Sequence, residues 1–134
     1  EWFIEHVDIL TLSSYEWDVL SKKTGLSHRD VASKLQALII TEGSNGATLY
    51  HNGKATHYEA LPIEGTAHPV GCGDAFRGGL LRALSLGWEW ADTMHLASLM
   101  GAIKAQCPQA QGYRVSTDEI ARRFGRAFGK EIRL

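Results

Sequence analysis

Hydrophobic and polar positions alternate with two periods along this chain. Residues 7–12 and 38–41 are short, apolar and rich in β-branched side chains, which predicts buried strands. The second run, LIIT, is apolar throughout, as in a parallel strand covered on both faces. Residues 47–50 predict a third strand. Residues 55–60 predict a fourth, alternating Thr56, Tyr58 and Ala60 with His57 and Glu59. Asn52-Gly53 between them is a hairpin signal.

Elsewhere the period is helical. Residues 1–6 read as a helix end, and helices are expected over 15–23, 28–35 and 74–86. The third carries Phe76, Leu80 and Leu84 on one face. A further helix follows Trp88, with a core stripe of Leu96, Leu99, Met100 and Ile103, and stops at Cys107-Pro108. The last buries Ile120, Phe124 and Phe128. Ser13 and Ser14 can cap the first helix and Gly25 ends it. Ser27 with Asp30 is a loose capping box, and Ser116 with Glu119 a proper one. The order β, α, α, β, β, β, α, α, α fits a three-layer α/β/α fold, with this chain supplying part of the sheet and its covering helices.

At 134 residues there is enough chain for one ordinary domain, and the 44% hydrophobic content is that of a globular protein. A net charge of −1 gives no reason to expect nucleic acid or an anionic membrane as partner. No apolar run approaches the roughly 20 residues of a membrane helix, and no signal peptide is visible. Two cysteines make no disulfide framework, so a reducing cytoplasm is the expected setting. The chain starts at Glu1, without methionine and within a helix end, and is expected to be a piece of a longer protein.

Two stretches carry candidate chemistry. In HPVGCGDAFRGG, residues 68–79, Pro69 breaks an extended approach, Gly71 and Gly73 turn it, and a helix is expected to start at Asp74. A helix start offers unsatisfied N–H groups and a positive dipole end to an anion. Asp74 is then a cap, or a functional acid beside an anion site. Phe76 stands where a dinucleotide fingerprint would have its third glycine, and no Gly-Lys-Ser/Thr ends a Walker A loop. Arg77, one turn on, pairs with Asp74, meets a phosphate or is a surface residue. Gly78 and Gly79 each cost about 1 kcal/mol within a helix, and close packing against the sheet or the nucleotide loop would explain them. His68 and Cys72 would suit a thiol nucleophile with a base, but no cysteine-enzyme signature surrounds them. The second stretch is Thr41-Glu42-Gly43-Ser44-Asn45-Gly46, a strand running into a glycine-spaced turn. Doubly wound sheets bind ligands there, although a simple hairpin turn reads the same way. His51, His57 and His68 are too dispersed to argue a metal site. His28 and His95 read as structural or solvated.

GCGDAFRGG resembles the GAGD signature of the ribokinase-like sugar and nucleoside kinases, with Cys72 in place of alanine. Thr-x-Gly-x-x-Gly at Thr41, Gly43 and Gly46 resembles that family's nucleotide loop, ~25 residues upstream. Ser13 to Glu16 resembles its Asn-x-x-Glu motif, with Ser13 where asparagine is usual. The resemblance implies the C-terminal part of a ribokinase-like fold. It implies Asp74 as the base that deprotonates the acceptor hydroxyl, with Gly71, Cys72 and Gly73 as the anion hole. It also implies nucleotide contacts from Ser13, Thr41, Gly43, Ser44, Gly46, Ser98, Gly101 and Ala102, with residues 109–115 flanking adenine. Glu16 would organise Mg2+ through water.

The expectation is therefore residues 1–134 as the nucleotide-binding and catalytic part of a kinase, with ATP as co-substrate. The acceptor is a nucleoside, since GWEW and ASLMGAIK look like bacterial adenosine-kinase-type members, or a sugar. A non-catalytic nucleotide-binding module is the rival. By itself the chain is expected to be inactive. Apolar strands such as 38–41 would keep an unpaired or uncovered side, which leaves a homo-oligomer open.

Overall fold

Four strands hydrogen-bond in chain order in the computed structural model, which describes residues 2–109 and 113–134. β1 (Ile9–Ser13) runs parallel to β2 (Ala37–Thr41). β2 is antiparallel to β3 (Ala47–His51), and β3 to β4 (Lys54–Tyr58). The strands belong to the first of two compact units, Glu1–Ala60; the second is Leu61–Leu134.

β2 is the strand with the most apolar sequence and is paired along both edges. Ala37, Leu38 and Ile39 have no exposed surface. The expectation that 38–41 keeps an unpaired or uncovered side is therefore wrong. Among the described residues β1 and β4 are the edges. The β3–β4 connection has positive φ at both Asn52 (49°) and Gly53 (72°), the backbone a two-residue hairpin needs.

Helix α1 (Ser14–Thr24) and the short α2 (His28–Ala32) fill the β1–β2 crossover. α2 is three residues shorter than its apolar pattern predicts. Both begin with a reciprocal capping box, Ser13 with Glu16 and Ser27 with Asp30. One core joins Ile4, Leu10, Trp17, Val31, Leu38 and Ile40. His28 is half-buried and not simply solvated: it is stacked between Trp17 (4.0 Å between ring centroids) and Tyr50 (4.9 Å).

The second unit is helical: α3 (Cys72–Ser85), α4 (Trp90–Ala105) and α5 (Thr117–Phe128). α3 and α4 pack closely because Gly79 lacks a side chain. A Cβ there would lie 2.9 Å from the Leu96 carbonyl oxygen. Gly79 thus packs on α4, while a Cβ on Gly78 would meet open space. Ala83, Leu96, Leu99, Ile103, Ile120 and Phe124 form this unit's core. His95 stacks on Phe128, as a structural histidine would.

Candidate functional site

In the first unit the sheet register brings predicted residues together. Ser13 and Thr41 are cross-strand partners at the C-terminal ends of the parallel pair β1–β2, where such sheets carry ligands. Ser13 is also the N-cap of α1. Its N–H donates to Glu16 Oε2 (2.7 Å), and Glu16 N–H donates to Ser13 Oγ (3.2 Å). This exchange anchors the exposed Glu16 carboxylate beside the strand end. The Thr41 hydroxyl donates to the Leu12 carbonyl (3.4 Å).

Past Thr41 the chain makes a single 3₁₀ turn, Gly43–Asn45. Glu42 N–H donates to Gly46 carbonyl oxygen (2.8 Å), which closes the loop. Gly43 (φ 59°) and Gly46 (φ 94°) both take left-handed backbone. A Cβ on Gly46 would fall 2.1 Å from the Tyr58 carbonyl oxygen, against the end of β4. The hairpin and the glycine-spaced turn coexist, since Thr41 pairs with Ala47 across the loop. Ser44 is exposed at the tip. Glu42, not singled out from sequence, lies 3.9 Å from His57.

In the second unit α3 starts at Cys72, two residues before the expected Asp74. Gly71 (φ 86°) is its N-cap and makes no side-chain cap. Cys72 N–H donates to the Pro69 carbonyl (3.1 Å), and Ala75 N–H makes the first intrahelical bond, to Gly71 (3.0 Å). The N–H groups of Gly73 and Asp74 lie between these two, in the turn where a helix supplies no acceptor. A Cβ on Gly73 would meet only Arg77 Nη1, at 3.9 Å. Asp74 is therefore a first-turn acid and not the cap. Its side chain is 85% exposed, and Arg77 donates to Oδ1 at 3.3 Å.

The Cys72 thiol donates to the His68 carbonyl (3.2 Å), and burial pushes its pKa up. That contact engages the backbone of His68 and not its imidazole, so it gives the thiol no base. Gly101 of α4 meets the start of α3: its Cβ would lie 3.7 Å from the Cys72 carbonyl oxygen. Ser98, Gly101 and Ala102 are all half-buried on α4. Of the expected adenine-flanking loop, residues 110–112 lie outside the described residues. A cavity of about 390 Å³ is lined by Ile103, Cys107, Glu119 and Arg123 among others, together with Tyr113, Arg114 and Val115 of the expected adenine-flanking loop.

Sequence reading missed Lys104. It has no exposed surface, and its Nζ donates to the Cys107 carbonyl (2.9 Å). A lone lysine at the end of an apolar stripe looks like a surface residue, and only the fold shows it buried.

The profile of the pfkB family carbohydrate kinases matches residues 1–117. The nucleoside kinase of Burkholderia thailandensis, solved in complex with inosine, superposes with a TM-score of 0.92 at 43% identity. That match covers 96% of this chain and 43% of that one. The nucleoside kinase of Methanocaldococcus jannaschii is 28% identical over 102 residues, 76% of this chain and 32% of its own length. Ribokinase from Thermotoga maritima shares the fold (TM-score 0.80, 21% identity), over 92% of this chain and 43% of that one. The chain thus has the α/β fold of the ribokinase-like enzymes and spans less than half of each relative.

Proposed function

Because the chain belongs to the pfkB family of carbohydrate kinases, we propose that it is the C-terminal, ATP-using part of a cytoplasmic kinase that phosphorylates a nucleoside hydroxymethyl group. The observation that carries this reading is Asp74. It is an exposed carboxylate in the first turn of α3, directly after a left-handed Gly71 and beside N–H groups without helical acceptors.

Asp74 accepts the proton of the acceptor hydroxyl. The hydroxyl oxygen then bonds to the γ-phosphorus, and the bond to the ADP oxygen breaks. The N–H groups of the Gly71–Gly73 turn, with the positive end of α3, stabilise the charge on the moving phosphoryl group. Arg77 holds the Asp74 carboxylate in place. Ser13, Thr41, Gly43, Ser44, Gly46, Ser98, Gly101 and Ala102 are proposed to contact nucleotide. Magnesium would neutralise the phosphates. It keeps much of its water and needs few carboxylates, which suits the exposed, backbone-anchored Glu16.

The Burkholderia and Methanocaldococcus relatives, both named nucleoside kinases, favour a nucleoside acceptor. The family's description as carbohydrate kinases supports a sugar as the second reading. Incubating the complete protein with magnesium, ATP and separate nucleosides and sugars tests it, with product identified by mass spectrometry. A phosphorylated nucleoside is expected. ATP-induced stabilisation without product from any acceptor would favour the non-catalytic module instead.

A further inference from the structure

Lys104 lies at the C-terminal end of α4 with no exposed surface. A buried ammonium is costly unless it is paired or hydrogen-bonded. Its Nζ donates to the Cys107 carbonyl oxygen at 2.9 Å, one residue past the C-cap Gln106. The end of a helix is also its negative pole, so the lysine offsets that pole from within.

The same end of α4 backs the turn that leads into α3. His68 N–H donates to the Ala105 carbonyl (2.8 Å), and the Cys72 thiol donates to the His68 carbonyl (3.2 Å). One turn earlier on α4, Gly101 lies against the Cys72 carbonyl. The charge of Lys104 reaches Cys72, the first residue of α3, where it opposes the effect of burial on the thiol. Without the lysine, the carbonyl end of α4 would stand behind a turn that has to attract phosphate.

We infer that Lys104 is a positioning residue for phosphoryl transfer: its buried charge cancels the negative end of α4 and keeps the first turn of α3 attractive to an anion. The inference rests on reading that turn as the phosphate site. A lysine that only capped α4 would affect stability alone.

Lys104→Met, close in volume, and Lys104→Arg in the complete protein separate these roles. The methionine variant should still melt cooperatively, with kcat about tenfold lower, the size of a partly buried helix-end charge. Acceptor KM should change little, and the arginine variant should recover most of the loss. Cys72 alkylation at pH 8, read by mass spectrometry of its peptide, should slow at least about threefold in the methionine variant, because thiolate is the reacting form. If that variant fails to fold, Lys104→Gln takes its place. Unchanged kcat and alkylation, with only a lower melting temperature, would overturn this inference alone. Absence of phosphoryl transfer by the unsubstituted protein would overturn the kinase reading and this inference with it.

Discussion

Gly79 and Leu96 fix how α3 and α4 meet: a Cβ on the glycine would stand 2.9 Å from the leucine's carbonyl oxygen, which is backbone and cannot swing aside. Gly79→Ala should therefore destabilise by roughly 1–3 kcal/mol of overpacking, only partly offset by about 1 kcal/mol of helix propensity. Gly78→Ala, in open space, should instead stabilise by up to about 1 kcal/mol. Urea midpoints of the two variants check this, and equal effects of the same sign would contradict it.

Asp74→Asn should lower kcat in the complete enzyme at least about 100-fold, the lower range for a lost general base. The amide is isosteric and can still accept from Arg77, so nucleotide affinity should change little. Steady-state kinetics and ATP titration measure both. Near-normal turnover would remove Asp74 from the mechanism.

Potassium should activate weakly or not at all. The resemblance implies Asp-Thr-Thr before the glycine turn in cation-activated members, and this chain has His68-Pro69-Val70. An imidazole offers no carboxylate oxygen to a hard cation. A steep, saturable rate increase with potassium, absent with an organic cation at equal ionic strength, would contradict this.

Stability should fall on mild acidification. Burial lowers the pKa of His95 below 6.5, outweighing the raising effect of Asp92, and that of His28 likewise, outweighing Glu42. Both rings bind protons less well folded than unfolded. Their stabilisation is complete above pH 6.5 and is lost as pH drops through the lowered values. Urea midpoints at pH 7.5 and 5.5 should differ more for the parent chain than for His95→Gln. An unchanged difference would exclude His95 as a contributor.

The 134-residue chain alone should bind ATP weakly, self-associate and phosphorylate nothing. It spans 43% of the Burkholderia enzyme, and phosphoryl transfer depends on positioning the acceptor. Trp2, Phe3, Tyr15 and Leu81 are exposed apolar surface that favours association. Normal turnover by a monomer in light scattering would refute this.

Much of this fold was legible because the sequence carries local rules at its element ends. The Asn52-Gly53 hairpin, the Ser27 and Ser116 caps and the Gly25 stop are decided by neighbours in sequence. The Ser13 cap is equally local, and the Glu16 that completes its capping box belongs to the same stretch that resembles a kinase motif. The early start of α3 was missed because Gly73 looked like part of a turn, whereas only Gly71 needs left-handed backbone. The Trp17–His28–Tyr50 stack and the buried Lys104 depend on packing between distant residues, which no periodicity reports.

The nearness of Gly46 to the end of β4 separates two kinds of mutational failure. Any side chain there collides with backbone whether or not the loop holds the proposed nucleotide, so an inactive Gly46 variant reports a damaged loop. Gly73 is the opposite case, with ordinary helical backbone and space around it. A small substitution there leaves the chain able to fold and intrudes only on what the turn is meant to hold. Of the glycines in the Gly71–Gly73 turn and the Gly43–Gly46 loop, Gly73 is the one whose substitution would test the proposed ligand and not the backbone.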